Sequence, residues 1–290
     1  MSNLLLLLSG KSDQAEISKL VTPKLKQADI KKKVINSLKE FQSDQQNISK
    51  INNLLVQLNQ KFEDILDDYS KTQQVPVLKL TLTLSSKLVV GLGISSVLEV
   101  FLRLHSVYGF PIIPSSALKG VLRAYKFWEL SEWNLELLKV FEFLLYSVYE
   151  KCENPGKELL SKVKSTNEDI ISKNIDFINE KIEEFLKVLS IFGSQKHKGS
   201  LVVLDAIPDK FCKLQMDILN CHYPEYYQNN TPPGDWQNPV PVSFFVIPKG
   251  TRFNFYFINA YPGLREDVIN ALSILGIGAK TALNYGTLVV

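Results

Sequence analysis

Residues 251 to 290 read TRFNFYFINA YPGLREDVIN ALSILGIGAK TALNYGTLVV, and the order of elements in this stretch decides the fold. Phe253, Phe255 and Phe257 alternate with Asn254, Tyr256 and Ile258, which is the period of a strand. Leu264 to Leu275 follows with Ile269, Leu272 and Leu275 at helical spacing, an inward face. Gly276 and Gly278 close the helix, and Leu288 to Val290 resumes as a strand.

Upstream, Val242 to Ile247 reads as a strand that pairs with Thr251 to Asn259 as a hairpin around Pro248-Lys249-Gly250. Ser200 to Ala206 and Lys213 to Leu219 are two further strands. Earlier still, Leu78, Leu80, Leu82 and Leu84 alternate with Lys79, Thr81 and Thr83, as in a half-buried strand. Gly91 and Gly93 break that pattern, Val97 to Leu104 is extended, and Tyr108-Gly109-Phe110-Pro111 is a turn. Pro114-Ser115-Ser116 opens a helix that Ser115 or Ser116 can cap, with Leu118, Val121, Leu122 and Tyr125 on its buried face. Leu135 to Tyr149 and the stripe Ile175, Ile178, Ile182, Phe185 and Leu189 are helical, separated by Asn154-Pro155-Gly156. The order β-α-(helical insert)-β-β-β-α-β predicts an α+β fold, a ferredoxin-like sheet with one helical face. It excludes a Rossmann fold, which needs repeated βαβ units. The sequence therefore divides into a helical N-terminal region, 1–75, and a domain at 76–290 with a helical insertion at about 130–190. Within the first, Ile48, Ile51, Leu55, Leu58, Phe62, Ile65 and Tyr69 form one stripe, either packed on the chain's own body or presented to a partner subunit.

The net charge is only +3, so any polyanion-binding function needs charge concentrated on one surface. Arg103, Arg123, Arg252 and Arg265 are the arginines among 33 basic residues, and where lysine is the default a planar guanidinium fork carries information. The three cysteines, Cys152, Cys212 and Cys221, form no C-x-x-C pair, which points to a reducing cytosol and no zinc knuckle. The leucine run Leu4 to Leu8 is too short to span a membrane and no basic residue precedes it. No two histidines are close in sequence, so no metal or cofactor is expected.

Four segments carry candidate chemistry. Gly276-Ile277-Gly278-Ala279-Lys280-Thr281, with Asn284-Tyr285-Gly286 beside it, lets a backbone approach an anion closely. Its spacing departs from a Walker loop, because Ala279 precedes the lysine, so an RNA-backbone cradle fits better than a nucleotide site; a purely structural glycine turn stays open. Lys119 and Arg123 are four apart on the helix after Pro114 and share a face, with Gly120 between them and the helix N-terminus close by. Gly193 to Gly199 carries Lys196 and Lys198 in a short loop suited to backbone contacts, and His197 as a lone acid–base candidate. Tyr226, Tyr227 and Trp236 either stack on bases or hold the long 224–241 loop in place.

The segment Gly109-Phe110-Pro111-Ile112-Ile113-Pro114-Ser115-Ser116-Ala117-Leu118-Lys119-Gly120-Val121-Leu122-Arg123 resembles the signature G-x-P-x-I-P-G-S-S-x-K-G-x-x-R of the RAMP superfamily, with Ser115 where that signature has glycine. Gly276 to Thr281 with Tyr285-Gly286 looks like the superfamily's C-terminal glycine-rich loop, and Phe192-Gly193-Ser194 followed by Leu204-Asp205-Ala206 fits it too. His222-Tyr223, Tyr226-Tyr227 and Asp235-Trp236 through Pro239-Val240-Pro241 are similar to the branch formed by the sixth subunits of Cmr (type III-B) CRISPR effector complexes. The resemblance covers roughly residues 77 to 290. It implies an RRM-like RAMP fold and a non-catalytic cytoplasmic subunit gripping guide crRNA toward its 3′ end, with target RNA a further candidate. Its implied neighbours are a backbone RAMP subunit, a small helical subunit and a second head RAMP subunit. The implied contacts are Ser115, Ser116, Lys119, Gly120, Arg123, Lys196, Lys198, Gly276, Gly278, Ala279, Lys280, Thr281, Asn284 and Tyr285. The alternative is a metal-independent endoribonuclease that processes guide RNA, using His197 or His222 with Lys280; a third possibility is a subunit that bridges proteins only.

Overall fold

The structure, a computed structural model, describes residues 27–92, 102–153, 155–165, 168–221, 223, 226, 232–234 and 239–290. The leucine run, Gly93 and Val97 to Phe101, His222, Tyr227 and Trp236 lie outside the described residues.

Two helices come first, α1 (Gln27–Ser43) and α2 (Gln45–Gln73), and then β1 (Val77–Leu84). Helix α3 (Ser115–Leu130) leads into the insertion: α4 (Leu135–Phe143), a π turn at Leu144–Val148, α5 (Pro155–Ser165), α6 (Asp169–Ser172) and α7 (Ile175–Phe192). The chain then makes β2 (Val202–Val203), β3 (Ile207–Pro208), β4 (Gln215–Cys221), β5 (Val240–Val246), β6 (Arg252–Ile258), α8 (Leu264–Ile274) and β7 (Leu288–Val289).

The main sheet is antiparallel, in the order β2-β6-β1-β7, with β3 also on β6. The chain thus forms two interleaved strand–helix–strand units, β1-α3-β2 and β6-α8-β7. The predicted hairpin between Val242–Ile247 and Thr251–Asn259 does not form. β5 pairs instead with β4, from Gln215↔Val246 to Cys221↔Val240, while β6 pairs with β1 from Val77↔Ile258 to Thr83↔Arg252. The turn at Pro248–Gly250 sends the chain from one sheet to the other: Gly250 N–H donates to Leu84 O, tying the start of β6 to the end of β1. Of the predicted strand Ser200 to Ala206, Val202–Val203 forms β2, and β3 follows just beyond its end.

The core explains the alternation. Leu80, Leu82 and Leu84 of β1 and Phe253, Phe255 and Phe257 of β6 point to one face, under α3 and α8. Helix α3 buries Leu118, Leu122 and Tyr125 there, and α8 buries Leu264, Val268, Ala271 and Leu272. The expected α8 face of Ile269 and Leu275 is only half-buried, because the stripe follows the i, i+4, i+7, i+8 positions from Leu264.

The other face of the sheet is covered as well. Helix α2 lays Leu55 and Leu66 over Tyr256, Ile207, Phe110 and Ile112, with Ile51, Leu58 and Phe62 partly buried beside them. Asn59 pins the contact: its Oδ1 accepts from Asn254 Nδ2 at 2.7 Å and from the Tyr256 hydroxyl at 3.0 Å, and its Nδ2 donates to Pro208 O at 3.2 Å. Most of the α2 stripe therefore packs on the chain's own sheet. Ile65 and Tyr69 are the exceptions, exposed because the buried line drifts to Leu66 as the 3.6-residue turn advances.

Candidate nucleic-acid interface

The predicted contacts fall into two groups. The first surrounds Lys119. Its Nζ donates to Leu201 O at 2.6 Å, in the connection between α7 and β2. Partial burial pushes its pKa down, and the positive charges of Lys198 and Arg123 push it further in the same direction. Lys198 and Arg123 thus both lie close enough to act on the Lys119 charge, and among the described residues none of the three pairs with a carboxylate. The Gly193–Gly199 loop that brings Lys198 here is closed on itself: Ser194 N–H donates to His197 O, and Gly193 pairs with Lys198 in an antiparallel bridge. Lys196 is exposed on the same loop.

Neither serine caps α3. Pro114 holds the cap position with no side-chain bond, and Ser115 is the first helical residue. The helix end is satisfied from outside, by Asp205 Oδ1 accepting the Ser115 N–H at 2.7 Å. A carboxylate therefore already occupies the dipole-favoured anion position that the sequence offered to phosphate. Ser116, the next residue, and Gly120, about a turn further on, are exposed, and a Cβ at Gly120 would meet nothing within 4 Å.

The second group is the loop from Gly276 to Gly286. Its glycines are demanded by the chain itself. A Cβ at Gly278, where φ is +94°, would stand 2.3 Å from Val89 O; one at Gly286, φ +74°, would stand 1.9 Å from Ile277 O. Several amides are also taken: Ile277 N–H donates to Gly286 O, Ala279 N–H to Val89 O and Gly286 N–H to Lys87 O. Thr281 begins a 3₁₀ turn ending at Leu283, and Lys280 and Asn284 flank it in the left-handed region. Lys280 Nζ sits 4.1 Å from the centroid of the Phe244 ring and 5.8 Å from that of Tyr285, cation–π geometry.

Sequence reasoning missed this loop's supports. Asp217 on β4 and Phe244 on β5 are directly paired, so both project from one side of the β4–β5 ribbon toward the loop. Lys87 Nζ and the Tyr285 hydroxyl both donate to Asp217 Oδ2 at 2.8 Å. Burial raises the Asp217 pKa, but bonds from Lys87, Tyr285 and the Ile218 amide outweigh it and hold the carboxyl below its usual value. Only the pairing of β4 with β5 reveals this cluster, and the expected β5–β6 hairpin concealed it.

The two groups do not converge, against the expectation that Lys119 and Lys280 meet on one surface that accommodates a polyanion. Leu201 precedes β2 at the Ile258 end of one sheet edge; the glycine loop precedes β7 at the Leu84 end of the opposite edge. They are joined by a relay of backbone hydrogen bonds: Ala279 N–H to Val89 O, Arg103 N–H to Val90 O, Ile112 N–H to Arg103 O, and Ile113 with Ala206 in both directions. The acid–base pairing of His197 with Lys280 is not assembled either. His197 packs edge-on to Tyr149 at 5.2 Å in the first group, its Nε2 enclosed without a hydrogen-bond partner.

Among the described residues, no group of three His, Cys, Asp or Glu side chains could hold a metal ion, and no helix is long and apolar enough to cross a membrane. A family model described as the RAMP superfamily matches residues 81–289. The CRISPR system Cmr subunit Cmr6 of Pyrococcus furiosus is 38% identical over 222 residues, 70% of this chain; the chain spans 65% of that relative's length. The crystal structure of Cmr6 from Pyrococcus furiosus aligns at a TM-score of 0.45 and 35% identity, covering 74% of this chain and 97% of the other. A chain in the cryo-EM structure of the type III-B Cmr-beta bound to cognate target RNA shares the fold, at a TM-score of 0.54 and 16% identity over 98% of this chain and 83% of that one.

Proposed function

Because the chain belongs to the RAMP superfamily, we propose that it is a non-catalytic, RNA-binding subunit of a type III-B (Cmr) CRISPR effector complex, holding the backbone of the guide crRNA toward its 3′ end. The 38% identity to a Cmr6 protein supports the assignment to that complex. In this reading the main sheet is ferredoxin-like, which the order β7-β1-β6-β2 supports. The neighbours are a backbone RAMP subunit, a small helical subunit and a second head RAMP subunit, and the complex works in the cytoplasm.

The observation that carries the RNA-binding part is the cluster of Lys119, Arg123 and Lys198. Like charges held together, one of them desolvated, are unfavourable in the free protein. A polyanion lying across them relieves that repulsion, and counterion release adds to the affinity. Lys280, held over its aromatic rings, supplies a second contact at the opposite edge of the sheet, so the partner is an extended strand rather than a small anion.

The test is to purify the chain with its partners and ask whether a short RNA of discrete length accompanies it. Replacing Lys119 or Lys280 by alanine should weaken RNA binding whatever the sequence, each lowering the salt slope by about one phosphate contact. Retention of full affinity and slope by the double variant overturns the RNA-binding role. Cleavage of repeat RNA by the wild-type chain, lost on changing His197, overturns the non-catalytic one.

A further inference from the structure

Between the two basic groups stands a feature that neither uses. The chain from Arg103 to Ile112 folds back on itself: Leu104 pairs with Pro111, His105 N–H donates to Phe110 O at 2.8 Å, and Gly109 N–H to His105 O at 2.8 Å. Its backbone is the middle of the relay, since Arg103 N–H donates to Val90 O on the glycine-loop side and Arg103 O accepts from Ile112 on the α3 side. Leu102 and Leu104 are buried, so the intervening Arg103 is turned outward and exposed. Among the described residues the arginine ion pair is Arg252 with Asp209, and Arg103 has none.

At the tip, two rings are stacked in advance and a third lies tilted against both. Tyr108 lies parallel to Phe110, 8° between planes and 6.0 Å between centroids, and His105 is 4.9 Å from Tyr108 and 5.0 Å from Phe110. Phe110 is buried beneath α2, which anchors the stack. His105 Nδ1 accepts the Val107 and Tyr108 amides at 3.2 and 3.3 Å and locks the turn. Burial holds this imidazole below its usual pKa, consistent with a neutral ring that can accept. Tyr108 itself is 40% exposed, a rigid aromatic surface facing solvent.

We propose that this hairpin is a nucleotide-binding step midway along the RNA track, with Tyr108 stacking one unpaired base and Arg103 taking an adjacent phosphate. It rests on the RNA-binding reading above and adds a base contact that the basic groups lack. A polyanion running from Lys280 to Lys119 follows the relay across Arg103, and an exposed ring already held in place stacks a base without first having to be ordered. Stacking of this kind is indifferent to base identity, as a subunit that accepts any guide requires.

The experiment measures binding of a fluorescently labelled single-stranded RNA of mixed sequence to the full chain across a salt series. Tyr108→Ala should weaken binding about tenfold and leave the salt slope unchanged, while Tyr108→Phe keeps the affinity. Arg103→Ala should weaken binding and lower the slope by about one, with Arg103→Lys retaining much of that slope. A thermal melt of each variant identifies loss of fold, and Tyr108→Phe, which keeps the ring, controls for it. If wild type binds and the Lys119 and Lys280 variants weaken it, but Tyr108→Ala and Arg103→Ala match wild type, the hairpin step is overturned and the basic groups stand. Failure of the wild-type chain to bind RNA overturns both. Loss of a partner subunit from the purified complex, with RNA affinity unchanged, reassigns the hairpin to protein docking and also overturns the proposal.

Discussion

At Gly278 and Gly286 the glycines answer the protein's own backbone, whereas Gly120 faces open space. The same contrast runs through the charges beside them. Lys280 rests on the Phe244 and Tyr285 rings, with Asp217 bonded to Tyr285 close by. Lys119 feels the charges of Lys198 and Arg123, with the Leu201 carbonyl as its hydrogen-bond partner. One region is satisfied internally and needs its glycines in order to fold. The other is left strained in its electrostatics and keeps its glycine exposed. A glycine-flanked lysine is thus two different devices, and only the three-dimensional neighbours distinguish them.

The largest effect that sharpens this contrast is on stability. Gly286→Ala places a Cβ against Ile277 O at a left-handed φ, and both the backbone contact and the dihedral resist it. It should cost about 3 kcal/mol or more by denaturant unfolding, with RNA binding lost only as a consequence of misfolding. Gly120→Ala should move the other way. In the middle of α3 with nothing nearby, alanine stabilises by about 0.5–1 kcal/mol. If RNA backbone lies against Gly120, the same change weakens RNA binding while raising the unfolding midpoint. A Gly286→Ala chain that is fully stable would remove the distinction between the two regions.

Much of the fold was legible because periodicity reports burial directly. The alternation of Leu80, Leu82 and Leu84 and of Phe253, Phe255 and Phe257 gave both central strands, and the helices α3 and α7 followed from their spacing. Strand pairing was less legible. Proximity in sequence favoured a β5–β6 hairpin, but Gly250 binds Leu84 and directs β6 into the main sheet. That pairing sets what faces the glycine loop, so Asp217, Lys87 and Phe244 were invisible as its supports. Residue types at the site were readable; their partners were not. Asp205 caps α3 from 90 positions away in the sequence, and no local rule assigns it there. Tyr256 likewise reads as the polar side of β6 until α2 covers it, with Asn59 accepting its hydroxyl.

A smaller effect tests the strain itself. Lys119 has a pKa below the ordinary lysine value, chiefly through burial and then through Lys198 and Arg123. For a base depressed in the folded state, the unfolded chain binds more protons between the two pKa values. Stability therefore carries a penalty below the folded pKa that is relieved as the pH rises toward 10.5. Lys198→Gln should relieve part of it at neutral pH, stabilising the chain by a few tenths of a kcal/mol, since solvent screens these partly exposed groups. It should also flatten the alkaline rise and weaken RNA binding. Stability up and affinity down together identify charges kept for a ligand; both falling together would mean that Lys198 serves the fold.

The smallest effect lies on the satisfied side, at acid pH. Asp217 titrates below its usual value because Lys87, Tyr285 and the Ile218 amide together outweigh its burial. The unfolded carboxyl takes up its proton first as the pH falls, so the stabilisation it gives is complete above its unfolded pKa, about 3.9, and drains away as the pH falls through the lower folded value. Asp217→Asn should therefore reduce stability at neutral pH and make the acid limb of the unfolding profile shallower below pH ~4, without altering the salt dependence of RNA binding. The bond from the Tyr285 hydroxyl holds the carboxylate beside a loop whose glycines leave no space to rearrange, so the stability loss should come with faster amide exchange at Ile277 and Ala279. A salt slope that falls in this variant as it does in Lys280→Ala would instead mean that the carboxylate positions Lys280 for RNA, and the glycine loop would no longer be the self-contained half of the pair.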